Sequence, residues 1–153
     1  MLKRCLALFL LLLPAFAFAQ TAAEMDTMLD SDTVSSALAA RFILCAAELM
    51  PPEPSGAEAE KAAYDMAVSK GWIKKAAASD AVTMKTAAFL IMKAFNLKGG
   101  IMYSLFKSPR YAYREMVYRK LIGGQTDQNI KVSGAGLLSM LDNTLSYTDG
   151  GSQ

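Results

Sequence analysis

Between Thr33 and Met50 the apolar positions Leu38, Phe42, Cys45, Ala46 and Leu49 recur at three- and four-residue steps, the spacing that lines side chains along one face of an α-helix. Pro51 and Pro52 stop that helix, because proline has no backbone N–H to donate. The linker PPEPSG follows. Its Ser55 and Glu58 have the S-x-x-E spacing of a capping box, in which serine takes an orphan backbone N–H and glutamate reaches back to the cap residue. The pair predicts a helix over Gly56–Lys70, closed by Gly71 in a left-handed turn. A third helix, Met84–Asn96, is capped by Thr83, and its run TAAFLIMKAF is so apolar that the helix must be central. Gly99 and Gly100 break the chain before a short helical piece, IMYSLF. Ser108 and Pro109 supply an N-cap and a first-turn proline for Pro109–Lys120. Ser133 opens the last helix, Gly134–Ser146, with Leu137, Leu138, Leu141 and Leu145 on its apolar side. The only β-like run, NIKV, is very short, so the expected fold class is all-α.

The pattern repeats. Ala63 and Tyr64 match Ala112 and Tyr113, Val68 matches Val117, and Ile73 matches Ile122, all 49 residues apart. One inserted residue then brings Thr83 onto Ser133, Leu90 onto Met140 and Phe95 onto Leu145. Each unit reads as helix, hydrophobic turn, irregular loop, capped helix. SSALAARFILCAAEL, from Ser35, sits like TMKTAAFLIMKAFNL, from Thr83, and supplies a fragment of a third unit. Such units stack, because one helix pair cannot bury its apolar face alone.

A helix with a GWI or LIGG turn, a loop containing Asp or Asn, and Val82-Thr83 or Val132-Ser133 leading into an Ala/Leu-rich helix resembles the S-layer homology repeat over about Ala62–Tyr147. The resemblance implies helical assemblies that attach proteins noncovalently to cell-wall polymers. In that family a threonine is followed by an arginine and, two residues on, a glutamate. Here Thr83 matches, but Met84 and Thr86 hold the charged positions, and Ser133 is followed by Gly134 and Gly136. Both units lack the polar pair, so the resemblance speaks for architecture more than for wall binding.

The first residues change the charge picture. MLKRCLALFLLLLPAFAFAQ has a positive start at Lys3 and Arg4, a short apolar run and a small-x-small site before Gln20, so residues 1–19 are expected to be a signal peptide. The expected destination is a bacterial periplasm or the exterior, with no stable membrane span after cleavage. Residues 20–32 are expected to be a flexible N-terminal segment, 33–147 the helical repeat domain, and 148–153 a disordered tail. Cleavage removes Lys3 and Arg4 from the 16 basic residues and leaves 14 against 14 acidic ones, a near-neutral domain with no general basic character for nucleic acid or anionic membranes. One cysteine, Cys45, survives, expected as a buried small hydrophobe.

The chain has no histidine, which removes the commonest general base and zinc ligand. The acidic pairs Glu24/Asp26, Asp30/Asp32, Glu58/Glu60 and Asp127/Asp142 fit solvated or capping roles, and TDQNIKVSG fails as a calcium loop at Lys131 and Leu138. No catalytic residue, metal site or cofactor is expected. The candidate chemistry lies in SPRYAYREMVYRKLIGG, Ser108–Gly124. Ala112, Tyr113, Met116, Val117 and Leu121 follow the repeat's apolar stripe. Tyr111, Arg114 and Tyr118, with Arg110 at the edge, point the other way, and aromatic faces beside guanidinium forks suit flat or anionic groups. The expectation is a non-enzymatic exported envelope or assembly protein contacting another envelope protein or a cell-wall polymer, with self-association open to it. The alternative is a periplasmic regulator or inhibitor that binds another exported protein; an enzyme would need converging carboxylates in a deep cleft.

Overall fold

The computed structural model describes residues 23–74, 76–123 and 127–150. They form α1 (residues 23–29), α2 (Ser36–Ala46), α3 (Ala57–Ser69), α4 (Met84–Ala94), α5 (Ile101–Phe106), α6 (Pro109–Tyr118) and α7 (Gly134–Gly150). The architecture is an all-α small bundle: among the described residues there is no strand, only the isolated antiparallel bridges Ser35–Ala81 and Thr83–Lys131. Helices α2 and α3 pack as one pair and α4 and α6 as another, and α7 lies against α2 and α4.

Three valines organise the centre. The Val34 N–H donates to Val132 O at 2.9 Å, Val82 N–H to Val34 O at 2.8 Å, and Val132 N–H to Val82 O at 3.0 Å, a closed cycle of backbone hydrogen bonds among three buried residues. Each valine precedes the residue that starts an inner helix: Ser35 before α2, Thr83 before α4, Ser133 before α7. The first amides of these helices, which lack partners within their own helix, donate to a neighbouring loop instead. Ser36 N–H meets Asp80 O at 2.8 Å, Met84 N–H meets Ile130 O at 2.9 Å, and Gly134 N–H meets Ser31 O at 2.9 Å. Three segments of like form thus close on one another around a common axis. NIKV belongs to this cycle, which explains its β-like composition without a sheet.

Residues 23–29 supply the outer helix of the first segment, which corrects the expectation of a flexible stretch over 20–32. Met28 is 1% exposed, and the Met28 carbonyl lies under the start of α7 so closely that a Cβ on Gly134 would sit 1.5 Å from its oxygen. Residues 148–150, expected in a disordered tail, belong to α7, which continues to Gly150. Residues 1–22, including the expected signal peptide, and residues 151–153 lie outside the described residues.

Helix α4 is central, with every residue from Ala87 to Met92 buried. The Ser55–Glu58 capping box does not form: Gly56, at φ 97°, takes the N-cap position and leaves Ser55 outside the helix. Thr83 Oγ1 pairs with Thr86 Oγ1 at 2.9 Å rather than with a helix amide, whereas Ser35 Oγ and Ser133 Oγ accept the amides of Leu38 and Gly136, each at 3.1 Å. Four helices end alike. Glu48, Gly71, Asn96 and Lys120 adopt positive φ, and the next residue's N–H reaches back five positions, as in Leu97 to Met92 O at 2.9 Å and Leu121 to Met116 O at 2.8 Å. Glycine occupies only one of these four positions. After Lys120 the turn buries Leu121, and after Asn96 it half-buries Leu97, which offsets the left-handed conformation there; Leu49, after Glu48, stays 44% exposed.

Candidate functional site

Helix α6 divides as its sequence pattern predicts. Ala112, Tyr113 and Met116 are buried against the core, while Arg110, Arg114 and Tyr118 are exposed and Tyr111 is half-buried. Tyr118 is 84% exposed, the most of any tyrosine on this helix. Tyr111 and Arg114 border a shallow cavity of about 270 Å³ together with Gly100, Ile101, Met102, Tyr103 and Glu115; Tyr118 does not reach it. Of the predicted site residues the structure therefore brings Tyr111 and Arg114 to one cavity and leaves Arg110 and Tyr118 on the open face. The Tyr111 ring stacks on Phe106 of α5, centroids 5.4 Å apart.

The edge of this face is built by an ion pair. Arg119 Nε meets Glu115 Oε1 at 2.8 Å, and Glu115 Oε2 accepts the Gly100 N–H at 2.9 Å. The same guanidinium donates to the Lys98 carbonyl and, at 2.9 Å, to the Tyr147 hydroxyl, and it lies 5.2 Å from the Tyr147 ring centroid. One i,i+4 pair on α6 thereby fixes the segment entering α5 and the C-terminal part of α7. Gly99 is required there, because a Cβ would meet the Tyr103 side chain at 2.3 Å.

The sequence places a short helix at IMYSLF, where α5 forms, but gives it no part in the site. Tyr103 is buried and anchors the helix, and burial pushes its phenol pKa up. Ile101, Met102, Leu105 and Phe106 all face solvent, with Ile101 81% and Leu105 72% exposed. The available signal was the shortness of IMYSLF, six residues that turn a single side chain inward and carry four other large apolar ones.

A second feature missed in sequence is an apolar cleft of about 490 Å³ between α1, α2 and α7. Met25, Phe42, Cys45, Leu138, Leu141 and Leu145 line it. Arg41 closes one side, bonded to Glu24 at 2.7 Å and to the Pro52 carbonyl at 2.7 Å. Cys45 is half-buried, not fully buried as expected, with its Sγ 3.5 Å from Pro51 O. Burial pushes the thiol pKa up, opposed in part by the Arg41 charge. Glu24, paired with Arg41, and Asp142 also border this cleft, and no group of three or more metal-ligating side chains occurs among the described residues. No helix among the described residues is long and apolar enough to cross a membrane. No protein-family model, curated protein or solved structure matches the chain.

Proposed function

We propose that this is a non-enzymatic exported envelope or assembly protein, which contacts another envelope protein or a cell-wall polymer through the outward face of α6. The observation that carries the reading is that Arg110, Arg114 and Tyr118 are exposed on a helix whose opposite side is wholly committed to the core. The scaffold does not need these side chains, and their aromatic and guanidinium chemistry suits anionic or flat ligands. The Cys45 thiol, held protonated by burial, suits packing rather than nucleophilic attack.

The test is retention of the protein from periplasmic extract on purified peptidoglycan, compared with Arg114→Ala plus Tyr118→Ala. Retention that the double variant loses supports envelope attachment; no retention by the unaltered protein refutes it. A second reading, a regulator or inhibitor of another exported protein, is favoured by the cleft between α1, α2 and α7. That reading expects a one-to-one complex independent of peptidoglycan, disrupted by Leu145→Glu at the cleft and untouched by the α6 variants.

A further inference from the structure

We infer that α5 and the lysines beside it form a docking surface for an anionic phospholipid membrane, with the apolar side of α5 in the bilayer interface and Lys93, Lys98 and Lys107 on lipid phosphate. The inference goes beyond the α6 contact face and does not use Tyr118.

Helix α5 is an addition to the connection between α4 and α6; the corresponding connection from α2 to α3 contains no helix. Ile101 and Leu105 stand one turn apart, as do Met102 and Phe106, so the four form one stripe while Tyr103 anchors the opposite side. Apolar stripes rimmed by polar groups mark protein or membrane contact sites. The rim here is predominantly cationic. On one flank Lys93, Lys98 and Lys107 line a cavity of about 420 Å³ with Tyr103 and Ser104; on the other stand Arg114 and the cavity it shares with Ile101 and Met102. Burial, and after it the nearby Lys107 charge, lower the Lys93 pKa, and a phosphate between the two lysines would offset their repulsion. Glu115, the carboxylate bordering the second cavity, is already engaged by Arg119 and the Gly100 N–H.

The near-neutral total conceals a separation. Residues 81–114 contain six lysines and arginines and no aspartate or glutamate, whereas residues 20–80 contain five basic residues against ten acidic ones. An apolar ridge between two cationic rims matches an anionic bilayer in both depth and sign, with hydrocarbon taking the ridge and phosphate the lysines. A second copy of the chain would bring the same cations face to face around a two-fold axis, which disfavours self-association through this ridge.

The experiment is sedimentation of the chain from Gln20 onward, which contains every described residue, with phosphatidylcholine vesicles and with vesicles that also contain phosphatidylglycerol. A cation near an anionic surface strengthens binding by about fivefold. Binding to the mixed vesicles is therefore expected to exceed binding to neutral ones by at least about tenfold and to fall at high salt. The triple variant Lys93→Gln, Lys98→Gln, Lys107→Gln loses about tenfold or more of it, and Ile101→Ser with Leu105→Ser loses it altogether while melting like the unaltered protein. Equal binding to both vesicle types, or binding to neither, overturns the inference without any variant. A dimer in light scattering that Ile101→Ser with Leu105→Ser dissociates overturns it as well, because it assigns the ridge to a second copy.

Discussion

Replacing Gly134 by alanine adds one methyl group where α7 begins beneath α1. The new Cβ would lie 1.5 Å from the Met28 carbonyl oxygen and 2.5 Å from its carbon, both backbone atoms that cannot swing aside. A carbon and a carbonyl oxygen in contact sit about 3.3 Å apart, so the end of α1 must retreat by roughly 1.8 Å. That movement disturbs the packing of Met28, at a typical overpacking cost of about 1–3 kcal/mol. It also strains the Gly134 N–H to Ser31 O hydrogen bond, 2.9 Å long, for about 1 kcal/mol more. The better helix propensity of alanine returns about 1 kcal/mol. The net loss is about 1–3 kcal/mol, a fall in melting temperature of about 4–12 °C for a chain of this size. Gly136→Ala is the control, because its Cβ would meet only the rotatable Ser133 hydroxyl at 3.1 Å and Val132 Cγ1 at 3.6 Å. Thermal unfolding by circular dichroism of both variants decides the matter. If Gly134→Ala melts with Gly136→Ala, α1 does not close over α7 and the three-segment arrangement is wrong.

Three further outcomes follow from the same geometry. Tyr113→Ala is expected to cost about 3–5 kcal/mol in urea unfolding, and Tyr118→Ala less than about 0.5 kcal/mol, because the first side chain is buried and the second projects into solvent; equal costs would refute the division of α6 into two faces. Glu115→Gln removes the charge that holds Arg119, for about 1–2 kcal/mol given that both side chains are mostly buried. Faster hydrogen exchange over residues 98–106 should accompany that loss, and unchanged exchange would detach α5 from the ion pair. Cys45 should alkylate more slowly at pH 8 than a free cysteine, since burial raises its pKa. The unfolded thiol then ionises first as pH climbs, so stability is expected to fall as pH rises through the ordinary thiol range, and Cys45→Ala should flatten that fall.

The helices from α2 onward were legible because they rest on information within one turn of chain: the apolar spacing of Leu38, Phe42 and Cys45, the proline at position 109, the serine at 133. Their ends were less so. Asn96 and Lys120 take the left-handed conformation where the next residue, Leu97 or Leu121, finds a place in the bundle, and that place is a tertiary fact. The division of Ser108–Gly124 into scaffold and outward face could likewise be read from period and repeat alone, and Arg110, Arg114 and Tyr118 do lie outside.

What the sequence by itself determined is thus the helical class, the order of helices and the kinship of the segments, all consequences of local periodicity and capping chemistry. The tertiary structure decided the rest. It made residues 23–29 an outer helix, since a lone Met28 shows its worth only against Gly134, more than a hundred positions away. It turned four apolar side chains of α5 outward and gathered Lys93, Lys98 and Lys107 beside them in a chain whose charges cancel in sum. Net charge and mean composition add over residues without regard to place, whereas desolvation and Coulomb energy depend on which groups end up within a few ångströms of one another.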